Sequence, residues 1–160
     1  MTLIEQLGQT KAETVQHFGL SEPALERRYA PGKWSVRELL HHLCDAETVL
    51  FDRIRRVISE PRPVIWAFDQ DAWASRLGYA ERPLRMSRDI YEATRAGVLY
   101  YAHLHYRQSG HLEFVHSETG VRTLQEEFEK VADHNQHHLD QIRAALADPS
   151  STGTQRMTGQ

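Results

Sequence analysis

Three histidines lie close together in the run VADHNQHHLDQI, which covers residues 131–142. His134 and His138 are four residues apart, a spacing at which two imidazoles on one face of a helix can bind the same metal ion. The chain has ten histidines in 160 residues, so a pair at this spacing also arises readily by chance. Spacing alone leaves two interpretations open, a metal-binding pair and ordinary histidines at the edge of a helix.

The helical faces of these residues separate the histidines from one another. At 100° per residue, the apolar stripe of this segment is centred near Val131. His138 lies within about 60° of that centre, and His134 lies close to the edge of the stripe. His137 turns towards solvent, whereas Gln141 follows along the edge that carries the pair. The pair is therefore predicted to point partly inward, and His137 is predicted to lie on the surface.

An earlier segment, HHLCDAE, offers a candidate third ligand. His42 lies on the shoulder of its apolar stripe, about 110° from the centre, and His41 lies further out. Cys44 is placed on the opposite shoulder, where it is more typical of a packing residue than of a nucleophile, and Asp45 is predicted to face water. Glu47 falls in the middle of the apolar face, where a carboxylate must be paired, protonated or functional. A salt bridge to an arginine would satisfy it, so these residues permit a metal site without establishing one.

The segments that would position these residues are predicted to be four long amphipathic helices. Three capping boxes mark helix starts, because the hydroxyl and the carboxylate of each box can satisfy free backbone N–H groups of a first turn. The boxes are Thr2-x-x-Glu5, Ser35-x-x-Glu38 and Thr123-x-x-Glu126. A fourth long helix is predicted from about Pro83 to Gln108, with Pro83 in its first turn. The pattern predicts an all-α fold, a four-helix bundle.

Shorter segments join these helices. A short helix is expected at 21–29, a loop ending in a helical turn at 60–73, and a loop that can hold a small hairpin at 109–122. Residues 1–148 are expected to form one domain, and the polar segment 149–160 is expected to be a mobile tail.

The composition is that of an ordinary soluble globular protein. A formal net charge of −3 gives no reason to expect nucleic-acid binding. No apolar run approaches the roughly 18 residues that a membrane-spanning helix needs. The single cysteine excludes an intramolecular disulfide framework, and the first residues do not have the pattern of a signal peptide. We therefore expect a cytoplasmic protein with no nucleic-acid or membrane partner.

Three segments, taken together and in this order, resemble the DinB-like superfamily and, within it, the YfiT-like branch. They are PGKWSVRELLHHLCDAE at 31–47, RPVIWAFDQDAWA at 62–74 and TLQEEFEKVADHNQHHLDQI at 123–142. The most specific part is the helix start with a tryptophan and a histidine, combined with the late H-x-x-x-H-x-x-Q. The resemblance implies a four-helix bundle of the DinB/YfiT-like type with an open metal site formed by three histidines. These correspond here to His42, His134 and His138.

Members of this superfamily include S-transferases that use low-molecular-weight thiols, thiol-dependent isomerases and proteins described as metal-dependent hydrolases. The resemblance therefore implies a small-molecule substrate, and it also implies a homodimer. Zinc held by three protein ligands keeps an exchangeable position, so a divalent ion, zinc first, is expected; imidazole also suits nickel, iron and manganese. A thiol in that position would become a thiolate, whereas bound water would acquire a pKa near roughly 7.

The resulting hypothesis is a metal-dependent transferase that conjugates a low-molecular-weight thiol to an electrophilic substrate. Two alternatives stay open, a hydrolase that uses metal-bound water and a non-catalytic bundle that binds metal. Glu47, Asp69 and Gln141 are candidates to orient the ligands or to transfer protons around the metal.

Overall fold

The computed structural model describes residues 1–147 of the chain. These residues contain six helices and three short strands. The helices are α1 (Leu3–His17), α2 (Glu22–Leu25), α3 (Val36–Ser59), α4 (Gln70–Arg76), α5 (Leu84–His105) and α6 (Leu124–Ala147). The strands are β1 (Val64–Ile65), β2 (Glu113–His116) and β3 (Gly120–Thr123). The tail predicted at 149–160 lies outside the described residues.

Helices α1, α3, α5 and α6 pack as a four-helix bundle, which confirms the predicted fold class. Helix α3 packs against α5 and α6, and α2 and α4 contact it as well. Helix α1 completes the bundle by packing against α5 and α6. Each helix of the described chain falls short of the apolar length that a membrane crossing requires.

The helix starts follow the predicted capping chemistry. Thr2 and Ser35 accept hydrogen bonds from the backbone N–H groups three residues later, and the glutamates at those positions accept in return from the cap residues. At the third box, the Glu126 carboxylate accepts from the Thr123 backbone N–H at 2.7 Å. The fourth long helix was predicted to contain Pro83 in its first turn. Pro83 is instead the N-cap, and the helix ends at His105 rather than near 108.

The interior of the bundle consists of two apolar clusters with a polar layer between them. One cluster contains Leu50, Ile54, Val98, Phe128 and Val131, and the other contains Leu39, Leu40, Leu43, Tyr91 and Ile142. Glu47 on α3, Arg95 on α5 and Asn135 on α6 lie between the two clusters along their helices, and all three are buried. These polar side chains fix how the helices meet, because each must face its partner to be satisfied.

A small sheet connects two loops that flank the bundle. Strands β2 and β3 form the antiparallel hairpin expected within 109–122, with His116 paired to Gly120. Gly120 has φ +75°, which suits glycine at the end of the turn. Strand β1 adds to β2 in parallel through residues 64–65, so the segment predicted as a loop at 60–73 contains a strand as well as the start of α4.

Candidate metal centre

Three imidazoles from two helices converge at one point between α3 and α6. His42 extends from α3, and His134 and His138 extend from successive turns of α6. The Nε2 atom of His134 lies 3.1 Å from the Nε2 atom of His42 and 3.1 Å from that of His138. One ring nitrogen from each of the three side chains lies within 4.8 Å of the other two. His42 is fully buried, His138 is buried and His134 is half-buried.

The geometry and protonation of this cluster fit a divalent metal. Nitrogen ligands at about 2.0–2.1 Å from a tetrahedral ion lie about 3.3 Å apart. The two separations from His134 are close to this value, at 3.1 Å each. Burial lowers the pKa of His42 to about 3, of His134 to about 2 and of His138 to about 4. The neighbouring imidazoles add to the shift at His42 and His134. All three rings are therefore neutral at pH 7, the form in which imidazole binds metal.

The described part of the chain supplies these three ligands and no fourth. Within residues 1–147, no other histidine, cysteine, aspartate or glutamate joins the cluster at ligand distance. Cys44 is buried, and Arg82 lies 3.6 Å from its sulfur. Burial raises the pKa of the Cys44 thiol to about 11, so it is a packing residue. Three protein ligands with an open position are typical of catalytic rather than structural zinc sites.

Neighbouring side chains hold two of the imidazoles in place. Gln141 accepts a hydrogen bond from Nδ1 of His138 through Oε1 at 2.8 Å, which directs Nε2 of that ring into the cluster. The Nδ1 atom of His42 is buried without a hydrogen-bond partner in the described chain. Its ring packs instead against Trp34, with ring centroids 4.8 Å apart. His137, predicted to lie on the surface, is exposed.

Comparison with known proteins assigns the chain to a family. The sequence profile of the DinB superfamily matches residues 6–142. This chain belongs to the DinB superfamily. A protein of Oceanobacillus iheyensis named "Putative metal-dependent hydrolase OB0413" is 27% identical over 149 residues, covering 93% of this chain and 84% of that protein. A second, named "Putative metal-dependent hydrolase OB0782", is 30% identical over 149 residues, covering 87% and 79%.

A solved structure shares the fold of this DinB-superfamily protein. It is YfiT from Bacillus subtilis, described as "a probable metal-dependent hydrolase with an unusual four-helix bundle topology". The TM-score is 0.80 at 22% identity, and the match covers 88% of this chain and 82% of YfiT. The resemblance to the YfiT-like branch is therefore confirmed at the level of the fold.

Two residues of helix α3 are not where the sequence predicted them. His41 was placed towards solvent but is fully buried, and its Nδ1 atom lies 2.8 Å from the Ser87 hydroxyl. Asp45 was predicted to face water but is buried, where it accepts hydrogen bonds at 2.8 Å from Tyr79 and Arg82. The segment between α4 and α5 packs on this side of α3, so the face expected to be solvated is covered.

The three residues suggested as helpers of the metal lie in different surroundings. Gln141 contacts His138, as described above. The carboxylate of Glu47 is bound by Arg95, whose Nε and Nη2 atoms donate at 2.6 and 2.8 Å, so the salt-bridge alternative describes its contact. Asp69 is exposed and caps α4, accepting from the backbone N–H groups of Asp71 and Ala72. Of these three residues, only Gln141 contacts a histidine of the cluster.

Two residues that contact the candidate side chains were not identified from the sequence: Trp34, which contacts His42, and Arg95, which contacts Glu47. Trp34 was part of the family motif, but its packing against His42 depends on how the chain before α3 folds back. Arg95 lies four residues after Tyr91 and three before Val98, within the buried stripe of α5. A charged residue within an apolar stripe needs a buried partner of opposite charge, so the position of Arg95 could have predicted its pairing with Glu47.

Replacing Gln141 with leucine is expected to weaken metal binding about 10- to 100-fold. The substitution removes the acceptor of the His138 Nδ1–H group, so the ring loses the contact that orients it. Isothermal titration with zinc at pH 7 measures the change. The matched control is Gln136→Leu on the same helix, since Gln136 contacts Asp140 rather than the cluster. Equal affinities in the two variants would contradict an orienting role for Gln141.

Metal-free protein is expected to lose stability as the pH falls below about 6.5. Each clustered histidine has a folded-state pKa below the ordinary 6.5, so the unfolded chain takes up protons before the folded chain does. The free energy of unfolding should fall by up to about 1.4 kcal/mol per pH unit for each such histidine between pH 6.5 and 4. Urea unfolding across this range measures the slope. His42→Leu should flatten it and His137→Ala should not; equal slopes in wild type and His42→Leu would contradict the prediction.

Proposed function

We propose that this protein is a divalent-metal-dependent enzyme that activates a low-molecular-weight thiol for attack on an electrophilic small molecule. The observation that carries the proposal is the cluster of three neutral imidazoles from α3 and α6, with no fourth protein ligand among residues 1–147. Such a donor set holds an ion and leaves room for one small reactant. Zinc is the expected ion, and nickel, iron or manganese would also accept these ligands.

The residues of the chain have distinct parts in this proposal. His42, His134 and His138 provide the nitrogen donors, and their burial keeps them unprotonated at neutral pH. Gln141 and Trp34 hold two of the rings by a hydrogen bond and by packing. When bound, a divalent ion supplies a Lewis acid that favours the deprotonated form of a small nucleophile.

The pairing of the buried carboxylates with arginines supports a thiol, rather than water, as the nucleophile. Within residues 1–147 three carboxylates on α3 and α6 are buried, and each is bound by an arginine: Asp45 by Arg82, Glu47 by Arg95 and Glu127 by Arg53. A carboxylate held in this way is poorly placed to take a proton from water. A thiol has an ordinary pKa of about 8.5, far below the value of about 15.7 for water, so it needs less help from a base.

Hydrolysis is the second candidate, and the names of the relatives favour it. Several curated relatives are named "Putative metal-dependent hydrolase", among them proteins of Oceanobacillus iheyensis and Halalkalibacterium halodurans. In this case water would take the place of the thiol, and the same three histidines would hold the ion. A non-catalytic metal-binding bundle is the third possibility. The homodimer and the cytoplasmic location expected from the sequence stay predictions.

An assay of zinc-loaded protein separates the candidates. Cysteine, glutathione and other cellular thiols are each offered with a fluorogenic alkyl halide, and a panel of esters and amides is offered without thiol. Thiol transfer predicts conjugation that needs both metal and thiol and that is lost in His134→Ala but kept in His137→Ala. Turnover of an ester or amide without thiol would favour hydrolysis. Metal binding that raises the Tm with no turnover of any substrate would favour the non-catalytic bundle.

A further inference from the structure

A cavity of about 340 Å³ lies between helix α3 and the segment from β1 to α4. Trp66, which follows β1, and Trp73 on α4 line this cavity together with Val49 of α3 and Ile65 of β1. None of the described residues that line it belongs to the candidate metal centre. Val49 follows His42 by seven residues, or two helical turns, so it lies on the same face of α3 about 10 Å further along.

The backbone beside Trp66 is held by hydrogen bonds on both sides, although the indole itself is exposed. The Trp66 carbonyl accepts from Arg53 Nη2 at 3.1 Å, and the N–H group of Ala67 donates to the Ser117 hydroxyl at 2.9 Å. The side chain of Trp66 is nevertheless 75% exposed. Because the ring lines a cavity together with other apolar side chains, its surface is available to a ligand that would remove it from water.

The second indole is positioned by the start of α4. Asp69 caps this helix by accepting from the backbone N–H groups of Asp71 and Ala72. The backbone N–H of Trp73 donates to the Asp69 carbonyl at 3.0 Å, which places Trp73 at the first turn. The ring of Phe68 packs edge-on against the half-buried Trp73 ring, with centroids 5.1 Å apart. The cap and this ring contact therefore hold the second wall of the cavity in place.

The charged side chains that line the cavity already have ionic partners in the described chain. The pairs are Asp52 with Arg55, Arg53 with Glu127, and Arg56 with Glu60. An ionic ligand would have to displace one of these partners to gain a salt bridge of its own. The charge of the lining is therefore balanced, and it suits a ligand without charge.

We propose that this cavity binds an uncharged aromatic small molecule whose rings pack against the indoles of Trp66 and Trp73. Aromatic rings attract one another in offset-stacked or edge-to-face arrangements, beyond the benefit of burying apolar area. The cavity volume of about 340 Å³ is within the range of small-molecule pockets, at its lower end, and suits two fused rings. The inference goes beyond the proposed function and does not depend on it, because the cavity and the metal centre share no described residue.

Three molecules built on one two-ring skeleton test this inference. 2-Naphthol is flat, aromatic and uncharged at pH 7, decahydro-2-naphthol is its saturated analogue, and 2-naphthoate is aromatic but charged. The chain has three tryptophans, and each gives one indole N–H signal in a nitrogen–proton correlation spectrum of zinc-loaded protein. We expect 2-naphthol to shift the signals of Trp66 and Trp73 but not that of Trp34, which packs against His42.

The affinities follow from the shifts as each compound is added. 2-Naphthol should bind about tenfold more tightly than decahydro-2-naphthol, because only the aromatic compound makes ring contacts with both indoles. 2-Naphthoate should bind no more tightly than 2-naphthol, since the guanidinium groups that line the cavity are already paired.

Three variants assign the preference to the two tryptophans. Trp66→Leu and Trp73→Leu each remove one aromatic wall, so each should reduce the tenfold preference to about threefold. In either variant the remaining indole of the cavity reports the affinity. Trp66 is exposed, so Trp66→Leu tests the site even if Trp73→Leu unfolds α4. Tyr100→Leu replaces an exposed aromatic residue of α5 outside the cavity lining, and it should keep the full preference.

Each result decides the inference. The tenfold preference, reduced in Trp66→Leu and kept in Tyr100→Leu, would support it. Equal binding of the aromatic and saturated compounds would overturn it, as would a shift confined to Trp34 or tighter binding of 2-naphthoate. Signals of Trp66 and Trp73 that move on dilution without ligand would show that a second copy of the chain covers the cavity, which would also overturn it. Thiol activation is unaffected by any of these results, because the readout involves no turnover.

Discussion

Replacing His134 with alanine should abolish stoichiometric metal binding, with an affinity loss of more than about 100-fold. The Nε2 atom of His134 is the middle member of the cluster, 3.1 Å from the corresponding atoms of both His42 and His138. Its removal leaves one ligand on each helix, too few to hold the ion in a defined geometry. His42→Ala should have the same effect, because it removes the only ligand from α3.

Elemental mass spectrometry on untagged, purified protein measures this loss, and His137→Ala is its matched control. His137 lies beside the cluster in sequence but is exposed, so the control variant should keep near one equivalent of metal. Circular dichroism establishes that each variant remains helical. A folded His134→Ala protein that still holds one equivalent of metal would show that the three converging imidazoles are not the binding site.

Replacing Arg95 with methionine should lower the free energy of unfolding by about 3–5 kcal/mol. The guanidinium is fully buried and binds the Glu47 carboxylate through two hydrogen bonds. It also donates to the Thr10 hydroxyl and to the Asn135 side chain, so it links four helices of the bundle. Methionine would leave Glu47 charged in an apolar interior without a partner, which costs more than the ion pair itself contributes.

Urea unfolding at pH 7 measures the effect of Arg95→Met against two controls. Arg143→Met breaks a surface contact with Glu13 and should cost less than about 1 kcal/mol. The double variant Glu47→Gln with Arg95→Met should be more stable than Arg95→Met alone, because it removes the stranded charge. A loss below about 1 kcal/mol in Arg95→Met would mean that the Glu47 carboxylate finds another partner or becomes protonated.

Urea unfolding and zinc titration of the single variant Glu47→Gln define what Glu47 does. If the carboxylate serves only Arg95, Glu47→Gln should destabilise the protein while zinc affinity stays close to that of the wild type. The sequence predicted that a carboxylate in the apolar stripe of α3 must be paired, protonated or functional. It could not distinguish these outcomes, because the partner lies 48 residues away on another helix.

Local chemistry accounts for what was predictable from the sequence. Capping boxes at Thr2, Ser35 and Thr123 involve residues three apart, so they marked helix starts correctly. The inward direction of His138 and the exposure of His137 followed from the position of each residue on a single helix. These features depend on neighbours along the chain, and they needed no knowledge of the fold.

Contacts between distant segments account for what was not predictable. His41 and Asp45 were misplaced because face analysis assumes one buried and one solvated side, whereas α3 is covered by α5 and α6 and also by α2 and α4. The parallel pairing of β1 with β2 joins residues 64–65 to 115–116, across a gap that no local pattern bridges. The carbonyl of Trp66 that binds Arg53 directly follows the paired residue Ile65, so this contact had no signature in the sequence.

The position of the histidines in the chain has a kinetic consequence. His134 and His138 are four residues apart, whereas His42 precedes His134 by 92 residues. A chain whose α6 has separated from α3 offers an ion at most two donors from one helix, so separation of these helices must release the ion or weaken its hold. Ion occupancy therefore favours the docked state by mass action, by about 4 kcal/mol when the free ion is present at 1,000 times Kd. If the contacts between the ion and the two helices are absent from the transition state, they slow unfolding rather than speed folding. The supply of metal in the cell would then set the lifetime of the folded molecule.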